Sequence, residues 1–528
     1  MAAKLPQDCL RQILAECHVN DVPLYNYLFV NWSWCECVTP LIWQKPFERK
    51  DGTVFREEKS FQFIRTLITC LPDDSKEFLH ENDIQLPHNN RKIQTFDYPA
   101  FIQKLEPQRL RWATREWIDR LAQTSPTTTP IIDENKQLLN RKNFILLQEI
   151  LKLLIRRGKR LSKFVLSETS TAYDDGVNIP FYLLPNAQTF MEQLRLLVCV
   201  FPHEVPDSTF YSLAQSATNI EAFDISVRDE SEGLIQLIRN QRGIKELTLS
   251  GDRLNHKFDE ALKAHTPTIT HIECFETLSI SPDTLIQCRN LRVLNLYCKI
   301  PENTFIILGN AQFPFLTKLD IQLRNKLDLE RLSRIIQTTT GRMKVLKLHW
   351  DTFDPENTYT LIKAIGDYCP RIVELVIPIK SEDASGLAFL LSKCCHIRSI
   401  MLISKADIVQ DGEQLVIAIA DNASAALRSC IICGRWNYTP EVWQTFCERQ
   451  QSNSPPIRIS LIDKIKLSPE ITKILRDYTK SGRNILSTVE TPQHVPSVLS
   501  DIFDSTRKLK VRKIRPLTIG TTGHNPTE

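Results

Sequence analysis

The residues of this sequence that could carry chemistry are few and far apart. Cys430 and Cys433 have the C-x-x-C spacing of a metal or redox pair, but both fall in an apolar run predicted to be a strand. Residues three apart in a strand point to opposite faces, so these two thiols cannot share one metal ion. His80-Glu81 and His203-Glu204 lack the second histidine of a zinc-binding helix, and no glycine-rich phosphate loop occurs. We therefore predict no catalytic residue, no metal and no cofactor: the protein is not an enzyme.

The composition is that of a folded protein without a strong charge bias. The 528 residues are 42% hydrophobic and 24% charged, with a formal net charge of +4, which argues against a dedicated nucleic-acid binder. Fifteen cysteines without a secretory signal indicate reduced thiols, and hence a cytoplasmic or nuclear protein. No apolar run approaches 18 residues, so we expect no membrane span.

One short pattern recurs through most of the chain. Leu291, Leu294 and Leu296 form the motif L-x-x-L-x-L, which suits a strand entered from a turn. Nine clear copies follow one another at intervals of 22 to 30 residues, with helix-like apolar spacing between them. The copies begin at Ile220, Ile244, Ile269, Leu291, Leu316, Met343, Ile372, Ile397 and Leu427. Two looser copies begin at Leu161 and Met191, and a last strand is predicted over Ile457 to Ile462.

This period is typical of leucine-rich repeats, in which parallel strands line the concave face of an arc and helices lie outside. The predicted fold class is therefore α/β. The usual Asn or Cys after each strand is replaced by charged residues such as Lys380 and Arg435, which predicts an irregular arc. The predicted domains are an N-terminal helical unit (1–48), a helical connector (49–150), the repeat arc (151–465), and a C-terminal cap with a basic tail (466–528).

The side chains that alternate with the repeated leucines should face the concave side. In the middle of the arc this face is mixed polar and aromatic, and it is the predicted substrate-binding surface. Its residues are Glu273, Phe275, Asn295, Tyr297, Asp320, Lys347 and His349. Replacing Tyr297 should leave folding nearly intact. The C-terminal end of the same face is apolar (Val376, Met401, Ile431), which predicts either a contact site or a surface covered by the tail beyond Pro455.

The first 47 residues predict three short helices. The first spans Gln7 to Cys17, with apolar residues on one side, and the second spans Val22 to Val38. Thr39-Pro40 is predicted to separate the second helix from a third segment that contains Trp43. So small a bundle cannot cover its own aromatic residues, and large aromatic residues often anchor interfaces.

The order and spacing of these residues resemble an F-box. The matching elements are Leu5-Pro6 with Leu10 and Ile13, Val30-Asn31 with Trp34-Cys35, and Pro40-Leu41 with Trp43 and Pro46-Phe47. The resemblance implies docking to a Skp-type adaptor and, through it, to a cullin–RING ubiquitin ligase. It assigns the docking surface and its support to Leu5, Pro6, Leu10, Ile13, Trp34, Leu41 and Trp43.

These features together favour a substrate-recognition subunit of an SCF (Skp–cullin–F-box) ligase, with a protein substrate on the arc. The alternative is a leucine-rich-repeat scaffold that binds proteins without recruiting a ligase. Ser125 to Pro130 is the best candidate for a linker. The basic cluster from Arg507 to Arg515 predicts either a solvated tail or a signal for nuclear import or anion binding.

Overall fold

The computed structural model describes most of the chain between Pro6 and Lys480. The described residues are 6–19, 24–46, 57–86, 95–124, 133–159, 161–167, 183–200, 207–226, 231–251, 256–323, 329–350, 356–404, 408–450, 457–463 and 468–480. Leu5, the Ser125–Pro130 segment and the basic cluster lie outside them. No helix among the described residues is both long and apolar enough to cross a membrane.

The described residues up to Arg157 are mainly helical. Two 3-10 turns, Tyr25–Phe29 here and Ser381–Asp383 in the arc, add to the helices. The first seven helices are α1 (Gln7–Val19), α2 (Trp32–Trp43), α3 (Glu57–Thr69), α4 (Asp73–Glu81), α5 (Tyr98–Phe101), α6 (Pro107–Thr124) and α7 (Asp133–Arg157). The predicted apolar stripes of the connector are confirmed: Ile64, Leu67, Leu110 and Trp117 are all completely buried.

Within the described residues, the arc is one parallel sheet of 14 strands. The strands are β1 (Lys104–Leu105), β2 (Lys163–Ser167), β3 (Leu196–Val200), β4 (Ala222–Ser226), β5 (Glu246–Ser250), β6 (His271–Thr277), β7 (Val293–Lys299), β8 (Lys318–Leu323), β9 (Val345–Trp350), β10 (Glu374–Pro378), β11 (Ser399–Ile403), β12 (Val409–Asp411), β13 (Ser429–Asn437) and β14 (Arg458–Asp463). They neighbour one another in chain order, except that β13 pairs with β11, β12 and β14.

A helix follows most strands and packs beside the helix of the next repeat. These helices are α8 (Ala187–Met191), α9 (Asp207–Ser216), α10 (Glu232–Arg239), α11 (His256–Lys263), α12 (Pro282–Gln287), α13 (Glu302–Leu308), α14 (Leu329–Gln337), α15 (Thr358–Tyr368), α16 (Ala384–Lys393), α17 (Glu413–Asn422), α18 (Pro440–Arg449) and α19 (Pro469–Lys480). The predicted α/β leucine-rich-repeat solenoid is thus confirmed.

The repeated apolar residues form its core. At all nine clear copies the three motif residues are buried, and at most 2% of any of these side chains is exposed. In the motif that begins at Leu291, the side chains of Leu294 and Leu296 point into the core and that of Tyr297 does not. This confirms the predicted register. The core is continuous from Phe63 in α3 to Tyr478 in α19, so the connector and the arc share one hydrophobic interior.

One upstream copy was assigned the wrong frame. The motif predicted to begin at Met191 begins at Leu194, because Leu197 and Cys199 pair in register with Phe164 and Leu166 and are completely buried. Leu196, the predicted third position, is only half-buried. Leu194, Leu196 and Leu197 lie so close together that this segment satisfies both frames, and the sequence alone could not separate them.

A row of backbone hydrogen bonds runs along the start of the strands. The carbonyl oxygen just before each strand accepts from two successive N–H groups of the next repeat, as when Ser162 O accepts from Arg195 N at 3.0 Å and Leu196 N at 2.9 Å. We call this row the backbone ladder. It begins at Gln44, whose oxygen accepts from Gln103 N and Lys104 N at 3.0 and 3.1 Å, and it ends at Arg458. The ladder therefore ties the end of α2 to the arc.

Candidate binding surfaces

The middle of the concave face is built by strands β6 to β9. Strand pairing aligns Glu273 with Asn295, Asn295 with Asp320, and Asp320 with Lys347. Phe275 and Tyr297 pair two residues further along. Because side chains alternate between the faces of a strand, the buried leucines on one side place these residues on the other. The seven residues predicted from the sequence, His349 included, lie on four neighbouring strands.

Hydrogen bonds link most of these seven side chains. Asn295 Nδ2 donates to Glu273 Oε1 at 2.9 Å, and the Tyr297 hydroxyl donates to Asp320 Oδ2 at 2.8 Å. The rings of Phe275 and Tyr297 are stacked, with centroids 5.3 Å apart and planes 20° from parallel. His349 Nε2 lies 3.5 Å from Asp320 Oδ1. We call Glu273, Phe275, Asn295, Tyr297, Asp320 and His349 the concave polar cluster.

Three side chains of the concave polar cluster are buried, although they lie on a face that the sequence predicted to be a surface. Asn295 is 2% exposed, Asp320 4% and His349 6%, whereas Glu273, Phe275 and Tyr297 are half-buried. The Tyr297 hydroxyl donates to a buried carboxylate, so the prediction that replacing Tyr297 leaves folding nearly intact stays to be tested by measuring stability. The sequence did not reveal this hydrogen bond, because the partner lies on the next strand, 23 residues away.

Two further charged residues belong to this surface. Lys347 Nζ forms an ion pair with Glu374 Oε2 at 2.8 Å, and Lys318 Nζ lies 4.0 Å from Asp320 Oδ2. Sequence reasoning missed Glu374 and Lys318. The period of two along a strand is the signal that could have found them, since Lys318 stands two residues before Asp320.

The apolar C-terminal end of the concave face forms a small cluster of its own. Val376, Met401 and Cys433 are buried there, and Ile403 and Ile431 pack against them. The described part of the C-terminal cap does not account for this burial, because α19 packs against α18 in the row of helices. Residues 481–528 lie outside the described residues, so the choice between a contact site and a covering tail stays as the sequence left it.

The two cysteines of the C-x-x-C pair lie on opposite faces of β13. Cys430 belongs to the main core and Cys433 to the apolar concave cluster. Burial raises the pKa of each thiol to about 12. No group of three or more His, Cys, Asp or Glu side chains among the described residues could hold a metal ion.

The N-terminal unit has a small core of its own. Leu10, Leu14, Leu24, Cys37 and Val38 are buried, and Trp34 and Leu41 pack against them half-buried. The predicted second helix over Val22 to Val38 is wrong: a 3-10 turn over Tyr25–Phe29 precedes α2, which begins after Asn31. The Asn31 side chain caps α2 by accepting from Trp34 N at 3.0 Å. Pro40 lies inside α2, so the predicted helix boundary at Thr39-Pro40 is wrong.

Several large apolar side chains of this unit face outward. Phe29 is 87% exposed, and Ile13, Tyr25, Val30 and Trp32 are each about half exposed. We call these five residues the N-terminal apolar patch. Of the residues assigned by the F-box resemblance, Ile13 belongs to it and Pro6 is exposed, whereas Leu10 is buried in the unit. The patch is a surface that usually marks a contact with another protein.

Trp43 joins the N-terminal unit to the connector. Its ring lies 5.2 Å from that of Phe63 and 4.5 Å from that of Tyr98, and it packs against the main core. It therefore supports the unit from behind. Together with the Gln44 carbonyl, it holds the unit at one end of the sheet.

These features define a leucine-rich-repeat solenoid that carries a helical unit at its N-terminal end. No protein-family model matches the chain, and no curated protein sequence matches it. Among solved structures, the leucine-rich-repeat-containing protein LegL7 from Legionella pneumophila is similar over 60% of this chain and 98% of its own, with 15% identity and a TM-score of 0.31. A chain of the Rad7–Elc1 complex from yeast is similar over 69% of this chain and 92% of its own, with 12% identity and a TM-score of 0.34.

Proposed function

We propose that the chain is the substrate-recognition subunit of an SCF-type ubiquitin ligase in the cytoplasm or the nucleus. The N-terminal unit would dock a Skp-type adaptor, and through it a cullin–RING ligase. The concave face would hold a protein substrate. The chain would catalyse nothing itself. It would act by proximity, raising the local concentration of substrate lysines near the conjugating enzyme.

The N-terminal apolar patch is the observation that carries this proposal. It occurs within the segment that resembles an F-box, and it exposes Phe29 and, in part, Trp32, whose ring also stacks on Phe96 of the connector. Aromatic side chains that become buried on binding contribute much of the affinity of most protein interfaces. A protein without a binding partner rarely exposes a group of large apolar side chains to solvent. The concave polar cluster supplies a second surface on a separate part of the molecule.

The proposal is tested by measuring adaptor affinity with the full chain. We expect wild type to bind a purified Skp-type adaptor and the Phe29→Ala, Trp32→Ala variant to bind at least about 30-fold more weakly, a loss of about 2 kcal/mol. Tyr211→Ala is the matched control, because Tyr211 is an exposed aromatic residue on α9 of the arc. It should bind as wild type does.

Two results would contradict this assignment. Unchanged affinity of the double variant would exclude the N-terminal apolar patch as the docking surface. A wild-type chain that binds no Skp-type adaptor would favour the alternative, a repeat scaffold that binds proteins without recruiting a ligase.

A further inference from the structure

Two buried oxygen atoms in the concave polar cluster lack a hydrogen-bond donor among the described residues. They are Asn295 Oδ1 and Asp320 Oδ1, which belong to paired positions on β7 and β8. Asn295 Nδ2 donates to a Glu273 carboxylate oxygen at 2.9 Å, so the amide oxygen Oδ1 is the atom left without a donor. Burying an acceptor without a donor destabilises a protein, so two such acceptors in adjacent positions require an explanation.

These atoms lie among both acidic and basic side chains. The carboxylates of Glu273 and Asp320 flank Asn295 on the two neighbouring strands. The nearby cations have other contacts: Lys347 pairs with Glu374, and Lys318 approaches Asp320 at its other oxygen. His349 Nε2 lies 3.5 Å from Asp320 Oδ1, too far for a good hydrogen bond.

An aromatic surface lies beside the acceptors. Phe275 and Tyr297 are stacked and half-buried, and the Tyr297 hydroxyl reaches Asp320. Carboxylates, an amide oxygen and a flat aromatic pair are the groups that recognise a guanidinium, which is planar, donates five N–H bonds and stacks on rings. A lysine ammonium would gain less from this arrangement, since it is a compact and strongly hydrated charge.

We propose that the concave polar cluster binds an arginine side chain of the protein partner. The proposal rests on the proposed function in one respect, namely that the concave face is the partner-binding surface. The guanidinium would donate to Asn295 Oδ1 and Asp320 Oδ1 while Glu273 balances its charge. Because both oxygens are closed to solvent, neighbouring side chains must move to admit it.

The test uses small probes and the full chain. Dissociation constants are measured by saturation-transfer NMR for N-acetyl-arginine amide, N-acetyl-lysine amide and N-acetyl-citrulline amide, the last being a neutral isostere of arginine. We expect the arginine probe to bind at least about tenfold more tightly than either of the others, the difference made by one charge-assisted contact. Equal binding of arginine and citrulline would overturn the proposal. The two oxygens would then be explained as acceptors of hydrogen bonds from buried water. Equal binding of lysine would overturn the choice of arginine.

Variants locate the site. Asp320→Asn and Glu273→Gln each remove one charge with little change of shape, and each should weaken the arginine probe by about tenfold. Glu330→Gln, an exposed carboxylate on α14, is the control and should have no effect. If Asp320→Asn fails to fold, the half-buried Glu273 carries the test, and unchanged binding by Glu273→Gln would then overturn the proposal. Adaptor binding is measured on the same samples, so a failed arginine site and a failed adaptor assignment give different results.

Discussion

Neighbouring residues of a single strand have different roles in this protein. In β7, Leu294 and Leu296 fill the core, while Asn295 and Tyr297 belong to the concave polar cluster. The division follows from the alternation of side chains, and the spacing of leucines predicted it. The sequence could not predict that Asn295, Asp320 and His349 are buried, because the side chains they contact lie on other strands, 22 or more residues away.

Both kinds of residue should stabilise the fold, but by different amounts. We expect Leu294→Ala to lower the free energy of unfolding by about 2–5 kcal/mol, because it leaves a cavity in the core. Tyr297→Phe should lower it by about 1.5–3 kcal/mol, since it removes a donor from a buried carboxylate. Chemical denaturation measures both values. A Tyr297→Phe protein as stable as wild type would show that the bond to Asp320 has no net effect.

The cysteines should differ sharply in reactivity. The raised pKa of about 12 keeps Cys430 and Cys433 protonated near neutral pH, and only the thiolate reacts with alkylating agents. At pH 8 we expect iodoacetamide to label the exposed Cys9 and Cys395 in the native protein, and the two buried thiols only after unfolding. Mass spectrometry identifies the labelled sites. Rapid native labelling of Cys433 would show that the apolar concave cluster opens.

Elements of the arc could be predicted wherever one frame satisfied the apolar spacing. The nine clear copies did so, whereas the segment around Leu194 allowed two frames and was misassigned. In the N-terminal unit, Thr39-Pro40 looked like a boundary because proline usually breaks helices. The structure places the start of α2 at the Asn31 cap, nine residues earlier, and Pro40 is accommodated inside the helix.

The close packing of α9 and α10 depends on a glycine. A Cβ atom at Gly233 would lie 2.5 Å from the carbonyl oxygen of Asp207. Gly233→Ala should therefore destabilise the protein by about 1–3 kcal/mol, although alanine normally favours a helix.

Gly243→Ala is the matched control for this substitution. The nearest atom to its added methyl group would be Thr268 Cγ2 at 3.4 Å, so we expect a change of less than about 1 kcal/mol. Thermal unfolding compares the two variants. A stabilised Gly233→Ala protein would show that α9 and α10 can separate without cost.

The whole molecule is a linear array of repeats, in which each strand contacts mainly the strands beside it. The N-terminal unit joins this row through Trp43 and the Gln44 carbonyl, although its own small core is separate. The sequence indicated a unit and an arc. It did not indicate how they are joined, since Phe63, Tyr98 and Gln103 follow no repeat.

Trp43→Ala should therefore weaken one end of the molecule selectively. Removing a large aromatic residue from a core costs about 3–5 kcal/mol. Trp43 is half-buried, so the cost here is smaller, and it falls on the joint. Hydrogen exchange followed by mass spectrometry should show faster exchange in α1 and α2, with β6 to β8 unchanged. Equal acceleration throughout would mean that the unit and the arc unfold as one cooperative body.

The backbone ladder also fixes how far apart the two surfaces are. Seven steps of the ladder lead from the Gln44 carbonyl to Arg292, just before β7. At about 4.8 Å for each step, the concave polar cluster lies about 35 Å along the sheet from the end of α2. In the proposed ligase assembly, deleting one repeat between the two surfaces would bring a bound substrate about 5 Å closer to the adaptor and present different lysines for ubiquitin transfer. The number of repeats between the two surfaces thus sets the distance from adaptor to substrate in the proposed ligase.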